Sequence, residues 1–180
     1  MERTITNPII KDEVTFIKTS SETDGAYTEL LLKVMPGGQN LLHFHRTFTE
    51  TFTVLQGNLG VRTGRFSKKT LSAGESVAVP PEQLHSFYNP GADPIEVKVI
   101  IRPAHEGFEQ GLRIGYGMAH DGLCDQKGMP KKFSHMALGI VTSDINLPAP
   151  FSALMPLFRY IAQSEKRNGT WDSFINRYCK

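Results

Sequence analysis

Cysteine is scarce in this chain: Cys124 and Cys179 are the only two among 180 residues. Two thiols so far apart make no disulfide framework, which suits a reducing compartment. Charge of one sign is also missing. Twenty basic residues against 18 acidic ones leave a formal +2, so no global field selects nucleic acid or an anionic membrane as a partner. The longest apolar stretch, Met136 to Val141, is far too short to span a bilayer, and stable membrane insertion is not expected. Residues 1–10 lack the basic stretch and apolar core of a secretory signal. No helix-turn-helix pattern precedes the first strands. Together these absences predict a cytoplasmic protein that does not bind nucleic acid.

The 39% hydrophobic and 21% charged content is that of a globular chain, long enough to bury a real core. Short runs of β-branched, aromatic and aliphatic residues dominate its first part. Val14 to Thr19 and Thr28 to Val34 flank a turn-forming Ser20 to Gly25, and Pro36-Gly37-Gly38 breaks the second run. Further strands are expected at Leu41 to His45, Glu50 to Gln56, Gly60 to Arg65, Lys68 to Leu71, Ser76 to Val79, His85 to Asn89 and Ile95 to Ile101. So many short strands at close spacing predict an all-β sandwich or barrel.

The pattern changes after Arg102-Pro103. Glu106 to Met118 carries a weak helical signal, diluted by Gly107, Gly111, Gly115 and Gly117. His120 to Pro130 reads as a loop and Lys131 to Val141 as a short helix. Leu154, Leu157, Phe158, Ile161 and Ala162 have amphipathic spacing, with Pro156 in the first turn. Thr170 reads as the N-cap of a last helix that presents Trp171, Phe174, Ile175 and Tyr178. The expected organisation is therefore a β-domain over 1–103 and a mainly helical extension over 104–180, packing on that domain or on a partner subunit.

Chemistry concentrates between Gly37 and Asn89. His43 and His45, separated by one residue, project to the same face of a strand. Glu50 opens the next strand, with Phe52 and Val54 behind it on the same face. His85 comes 35 positions after Glu50, so only the fold can return it to the others. Three imidazoles and a carboxylate suit Fe, Mn, Ni or Zn and match Ca²⁺ or Mg²⁺ poorly. His105, His120 and His135 have no partner at ligand spacing and read as surface or capping residues.

This spacing resembles the two motifs of the cupin superfamily. The first, G-x5-H-x-H-x3-4-E-x6-G, is filled by Gly37, His43, His45, Glu50 and Gly57. The second, G-x5-P-x-G-x2-H-x3-N, is filled by Gly74, Pro80, His85 and Asn89, with Glu82 where the pattern has Gly. The resemblance implies a double-stranded β-helix (jelly-roll) barrel holding one divalent transition metal on His43, His45, Glu50 and His85, and it implies a homodimer. It admits three functions: a dioxygenase on a small, partly apolar molecule, with Glu50 as the catalytic group; a metal-dependent isomerase, epimerase or lyase; and a non-catalytic small-molecule binder or sensor. An inward-turned Arg62, Arg65 or Lys98 would favour the isomerase.

Overall fold

The computed structural model describes residues 2–180, so Met1, where the expected β-domain begins, lies outside them. Nine strands precede four helices among the described residues. The strands are β1 (Thr4–Asn7), β2 (Asp12–Lys18), β3 (Thr28–Val34), β4 (Thr49–Gln56), β5 (Asn58–Thr63), β6 (Lys68–Ser72), β7 (Ser76–Val79), β8 (His85–Tyr88) and β9 (Ile95–Arg102). The helices are α1 (Glu106–His120), α2 (Phe133–Thr142), α3 (Met155–Arg167) and α4 (Thr170–Tyr178).

The strands form two antiparallel sheets, a six-stranded one in the order β1-β2-β3-β9-β4-β7 and a three-stranded one in the order β6-β5-β8. Alternation along the strands decides which side chains face inward. On β3 the buried set is Thr28, Leu30, Leu32 and Val34, and on β9 it is Ile95, Val97, Val99 and Ile101. Register stacks them: Phe16 pairs with Leu30, Leu30 with Val99, and Val99 with Phe52, one apolar row across four strands. Each such side chain stabilises the fold by roughly 1.5–3 kcal/mol when fully buried. A one-residue slip would turn every one of them to solvent.

One strand expectation is corrected, and one strand was not expected. Residues 41–45 form no continuous strand; His43 bridges to His85 while Phe44 bridges to Asn146 on the other edge. Hydrogen bonding thus alternates between two partners residue by residue, and no ladder develops. The side-chain alternation survives, with His43 and His45 buried. The sequence also hid β1, which pairs with β2 from Thr4↔Thr15 to Asn7↔Asp12.

The glycines of α1 weakened its helical signal, yet the helix runs for 15 residues. They are placed for close approach: a Cβ at Gly107 or Gly111 would collide with the end of α2 at Thr142 or Ser143, and one at Gly117 with the Tyr178 ring of α4. Packing here overrides a propensity cost of about 1 kcal/mol per glycine. His120 belongs to this helix rather than to the following loop, and its ring Nε2 lies 2.9 Å from the Thr6 carbonyl oxygen. Gly169, at φ 76°, takes the N-cap position expected for Thr170, whose hydroxyl donates to Glu165 instead. Pro156 does lie in the first turn of α3. Phe158 and Ala162 of that helix are buried, whereas Leu154 and Leu157 remain exposed.

Helix α1 packs on the inner face of the large sheet, with α4 against α1 and α3 against α2. Phe108 and Tyr116 of α1 join the same apolar cluster as Phe16, Leu30 and Val99. Among the described residues, no helix is long and apolar enough to cross a membrane.

Candidate metal centre

β4 and β8 bring the four residues together. Glu50 pairs with Val79 on one side and Ile101 on the other, which fixes its side chain on the inner face with Phe52 and Val54. The backbones of His43 and His85 exchange hydrogen bonds of 3.0 and 2.8 Å, so the first motif lies against the second. One ligand atom from each of His43, His45, Glu50 and His85 falls within 4.8 Å of all the others, and all four residues are buried.

Each imidazole is held by its outer nitrogen. His43 Nδ1 donates to the Leu41 carbonyl at 2.7 Å, His45 Nδ1 to that of Asp144 at 3.0 Å, and His85 Nδ1 to that of Gln83 at 3.1 Å. Those bonds set the tautomer of His43 and His45 and leave their Nε2 lone pairs pointing inward, while His85 turns its Nε2 to Glu50. His43 Nε2 and His45 Nε2 lie 3.1 Å apart, and His85 Nε2 lies 3.0 Å from a Glu50 oxygen. With both Nδ1 atoms protonated, the first pair sets two lone pairs face to face. A cation between them turns that repulsion into binding, so the donor set fits a nitrogen-loving divalent metal.

Electrostatics agrees with this. Burial, together with the two neighbouring imidazoles, lowers the His43 pKa to about 3, so the ring is neutral and able to donate its lone pair. Burial disfavours ionisation of Glu50, but the closeness of His45 and a hydrogen bond from His85 outweigh it and hold the carboxyl well below its ordinary range. Burial would likewise lower His85, and the Glu50 carboxylate more than reverses that.

The remaining motif positions have structural work. Asn89 Nδ2 donates to the Val34 and Asp93 carbonyls at 2.9 and 2.8 Å and its oxygen accepts from the Gly91 amide, which latches the turn after β8. Gly57, at φ 82°, packs so closely on Ile95 that a Cβ would collide. Glu82 stands at φ 66°, a left-handed conformation in which glycine is at ease, and its amide donates to the His45 carbonyl at 2.6 Å. The departure from the motif therefore keeps the glycine backbone and carries its strain, roughly 1–2 kcal/mol for an L-residue. Glu82→Gly is expected to raise stability by about 0.5–1 kcal/mol after the entropy of a freer unfolded chain is subtracted. Denaturant unfolding checks this, and a loss of stability would mean the Glu82 side chain outweighs its backbone cost.

The other histidines stay apart from the cluster. His105 caps α1, its Nδ1 accepting from the Phe108 amide at 2.9 Å, and the His135 ring meets Phe174 edge-on. Arg62, Arg65 and Lys98 do not line the cavity beside the four residues. That cavity, about 250 Å³, runs between the sheet and the helices, past Leu30, Phe87, Val99 and Phe108 to Ile140 and Leu147. The helical segment thus roofs the cavity that the cluster opens into.

Nothing in the residue pattern announces Asp144. Its carbonyl orients His45, and one carboxylate oxygen accepts from the Arg46 amide, the Thr47 amide and the Thr47 hydroxyl at 2.7–2.8 Å. In sequence it is only a turn residue after an apolar run, ninety-nine positions from His45.

Comparisons with known proteins place the chain among relatives of one family. The family model described as Cupin domain matches residues 30–101, a span that includes all four. An uncharacterized protein of Methanocaldococcus jannaschii is 30% identical over 122 residues, 58% of this chain and 97% of that protein. The oxidoreductase macE of Penicillium terrestre is 38% identical over 95 residues, 50% of this chain; the match spans only 34% of that protein. Among solved structures, an RmlC-like cupin from Shewanella frigidimarina superposes with a TM-score of 0.50 at 21% identity, covering 58% of this chain and 86% of the other, which supports the double-stranded β-helix fold. With both motifs seated as the geometry requires, the chain belongs to the cupin superfamily.

Proposed function

We propose that this cupin is a metal-dependent oxygenase acting on a small, largely apolar molecule, with His43, His45, Glu50 and His85 as ligands of one divalent transition metal. The observation that carries the reading is the convergence of three neutral-capable imidazoles and one carboxylate at the edge of an apolar cavity. A redox metal such as Fe or Mn, when bound, supplies electron exchange with dioxygen, whereas Zn would supply Lewis acidity only.

The chain's own residues do the rest. The Leu41, Asp144 and Gln83 carbonyls keep the imidazole lone pairs aimed inward. Glu50, the buried carboxylate, is the group placed to take a proton from a substrate held beside it. Phe48 stacks on His45 and Phe52 lies against His85, with Phe87 behind Phe52, an apolar surround that excludes bulk water. The name of the Penicillium relative, an oxidoreductase, points the same way. A sugar-phosphate isomerase is less well served, because no arginine lines the cavity and its one lysine, Lys127, is exposed. Exposed Phe151, Leu154, Leu157 and Tyr160 fit a homodimer contact.

The test is metal analysis of the purified protein followed by an oxygen-electrode screen of small aromatic and aliphatic compounds on the Fe²⁺-loaded form. Substrate-dependent oxygen uptake that needs Fe²⁺ is the expected result. Tight binding of Zn²⁺ alone, with no oxygen uptake on any compound, would sink the proposal.

A further inference from the structure

The cavity contains a second buried carboxylate that the metal cluster does not use. Asp12 opens β2 on the same inner face as Val14 and Phe16, and it is only 6% exposed. Tyr116, descending from α1 and itself buried, donates its hydroxyl to Asp12 Oδ2 at 2.8 Å. Asp12 Oδ1 is buried with no hydrogen-bond partner. A buried polar atom left unpaired costs about 1–3 kcal/mol, so its retention calls for a reason.

Position supplies one. Asp12 and Tyr116 both line the cavity that reaches His43 and Glu50, and among the described residues Asp12 and Glu50 are its only carboxylates. They stand at different ends of the sheet. Glu50 pairs with Ile101 of β9, whereas Asp12 pairs with Val34, which pairs with Ile95. Six residues of β9 separate those rows, roughly 20 Å along the strand before side chains shorten the gap. Between them lie Val14, Leu30, Leu32 and Val99. The cavity is polar at both ends and apolar in the middle.

We infer that Asp12, steadied by Tyr116, is a ligand-recognising residue that selects molecules carrying a hydroxyl or amine at the end of an apolar body. This deepens the oxygenase reading by naming its substrate class: one end faces the metal ligands and the other donates a hydrogen bond to Asp12. The terminal torsion of an aspartate is soft, so a small rotation presents the unpaired oxygen to a donor. Burial pushes the Asp12 carboxyl up to about 7, so near neutrality it is available as an ionised acceptor and able to change state with the ligand bound. A purely apolar ligand would leave the oxygen unpaired and forfeit the gain.

The matched probes p-cresol and toluene differ only by a hydroxyl. In an apolar cavity with no acceptor, p-cresol binds more weakly than toluene because it loses its hydration. At Asp12 the order reverses, and wild-type protein should bind p-cresol about tenfold or more tighter than toluene by calorimetry. Asp12→Leu should abolish that preference, and Asp12→Asn, the variant more certain to fold, should reduce it because its acceptor is neutral. A purely structural Asp12–Tyr116 tie would shift both affinities together and leave their ratio unchanged, which would overturn the inference. So would equal binding of the two probes by wild-type protein, or no binding of either at millimolar concentration. Running the pair with and without chelator separates the two readings: a preserved preference in a protein that never holds metal supports the Asp12 site while it sinks the oxygenase.

Discussion

Replacing His43 and His45 together by alanine is expected to reduce metal content from near one ion per chain to background. The two Nε2 atoms lie 3.1 Å apart, and no other side chain reaches the gap they leave, since the cluster contains only His43, His45, Glu50 and His85 among the described residues. What survives is His85 with Glu50, a one-nitrogen, one-carboxylate pair that binds first-row metals weakly. The fold should survive, because the apolar row from Phe16 through Leu30 and Val99 to Phe52 owes nothing to the imidazoles. Losing two buried rings still opens space, so a loss of about 2–4 kcal/mol in stability is expected by analogy with other large-to-small core changes. Metal analysis and circular dichroism together decide the matter. Full occupancy in a folded double variant would remove these histidines from the metal site.

Much of this site was legible because its information is local. The one-residue spacing of His43 and His45 survives any strand register, and a carboxylate at Glu50 followed by Phe52 and Val54 is an inner face whichever strands flank it. The family spacing then supplied His85. Legibility fails where a residue acts through its backbone or through packing with distant chain. Asp144 orients His45 with a carbonyl oxygen, an atom every residue possesses, so no residue type could announce it. The glycines of α1 advertised a weak helix, and only the positions of Thr142, Ser143 and Tyr178 reveal them as contact points. Residues 41–45 read as a strand because side-chain alternation is all that a strand shows in sequence, while the division of their hydrogen bonds between His85 and Asn146 is a tertiary fact. Asp12 was invisible for a related reason: an acidic residue at a strand start is ordinarily solvated.

Asp144→Ala carries the second large effect, and it tests whether the helical segment is part of the metal site. The residue sits at φ 51° just beyond α2, joined to the loop after His45 by the bonds to Arg46 and Thr47, and Asn146 Nδ2 donates to its carbonyl and to its other carboxylate oxygen at 3.1 and 3.0 Å. Burial would raise its carboxyl, but the Thr47 hydroxyl and the Arg46 and Thr47 amides overcome that and hold it below the ordinary carboxylate range. Alanine removes every side-chain bond and strains the left-handed backbone, so stability should fall by about 2–4 kcal/mol. The carbonyl that orients His45 remains but loses its anchorage, and metal affinity should drop about 10–100-fold, the size of effect seen when a ligand's orienting partner is disturbed. Asp144→Asn tolerates the left-handed conformation and still accepts hydrogen bonds, so it should recover most of the stability and part of the affinity. Chelator competition and denaturant unfolding measure the two quantities separately. Wild-type affinity in a destabilised Asp144→Ala protein would show that the helical segment merely covers the site, whereas a joint loss that asparagine partly rescues would make residues beyond Arg102 part of the machinery that aims His45.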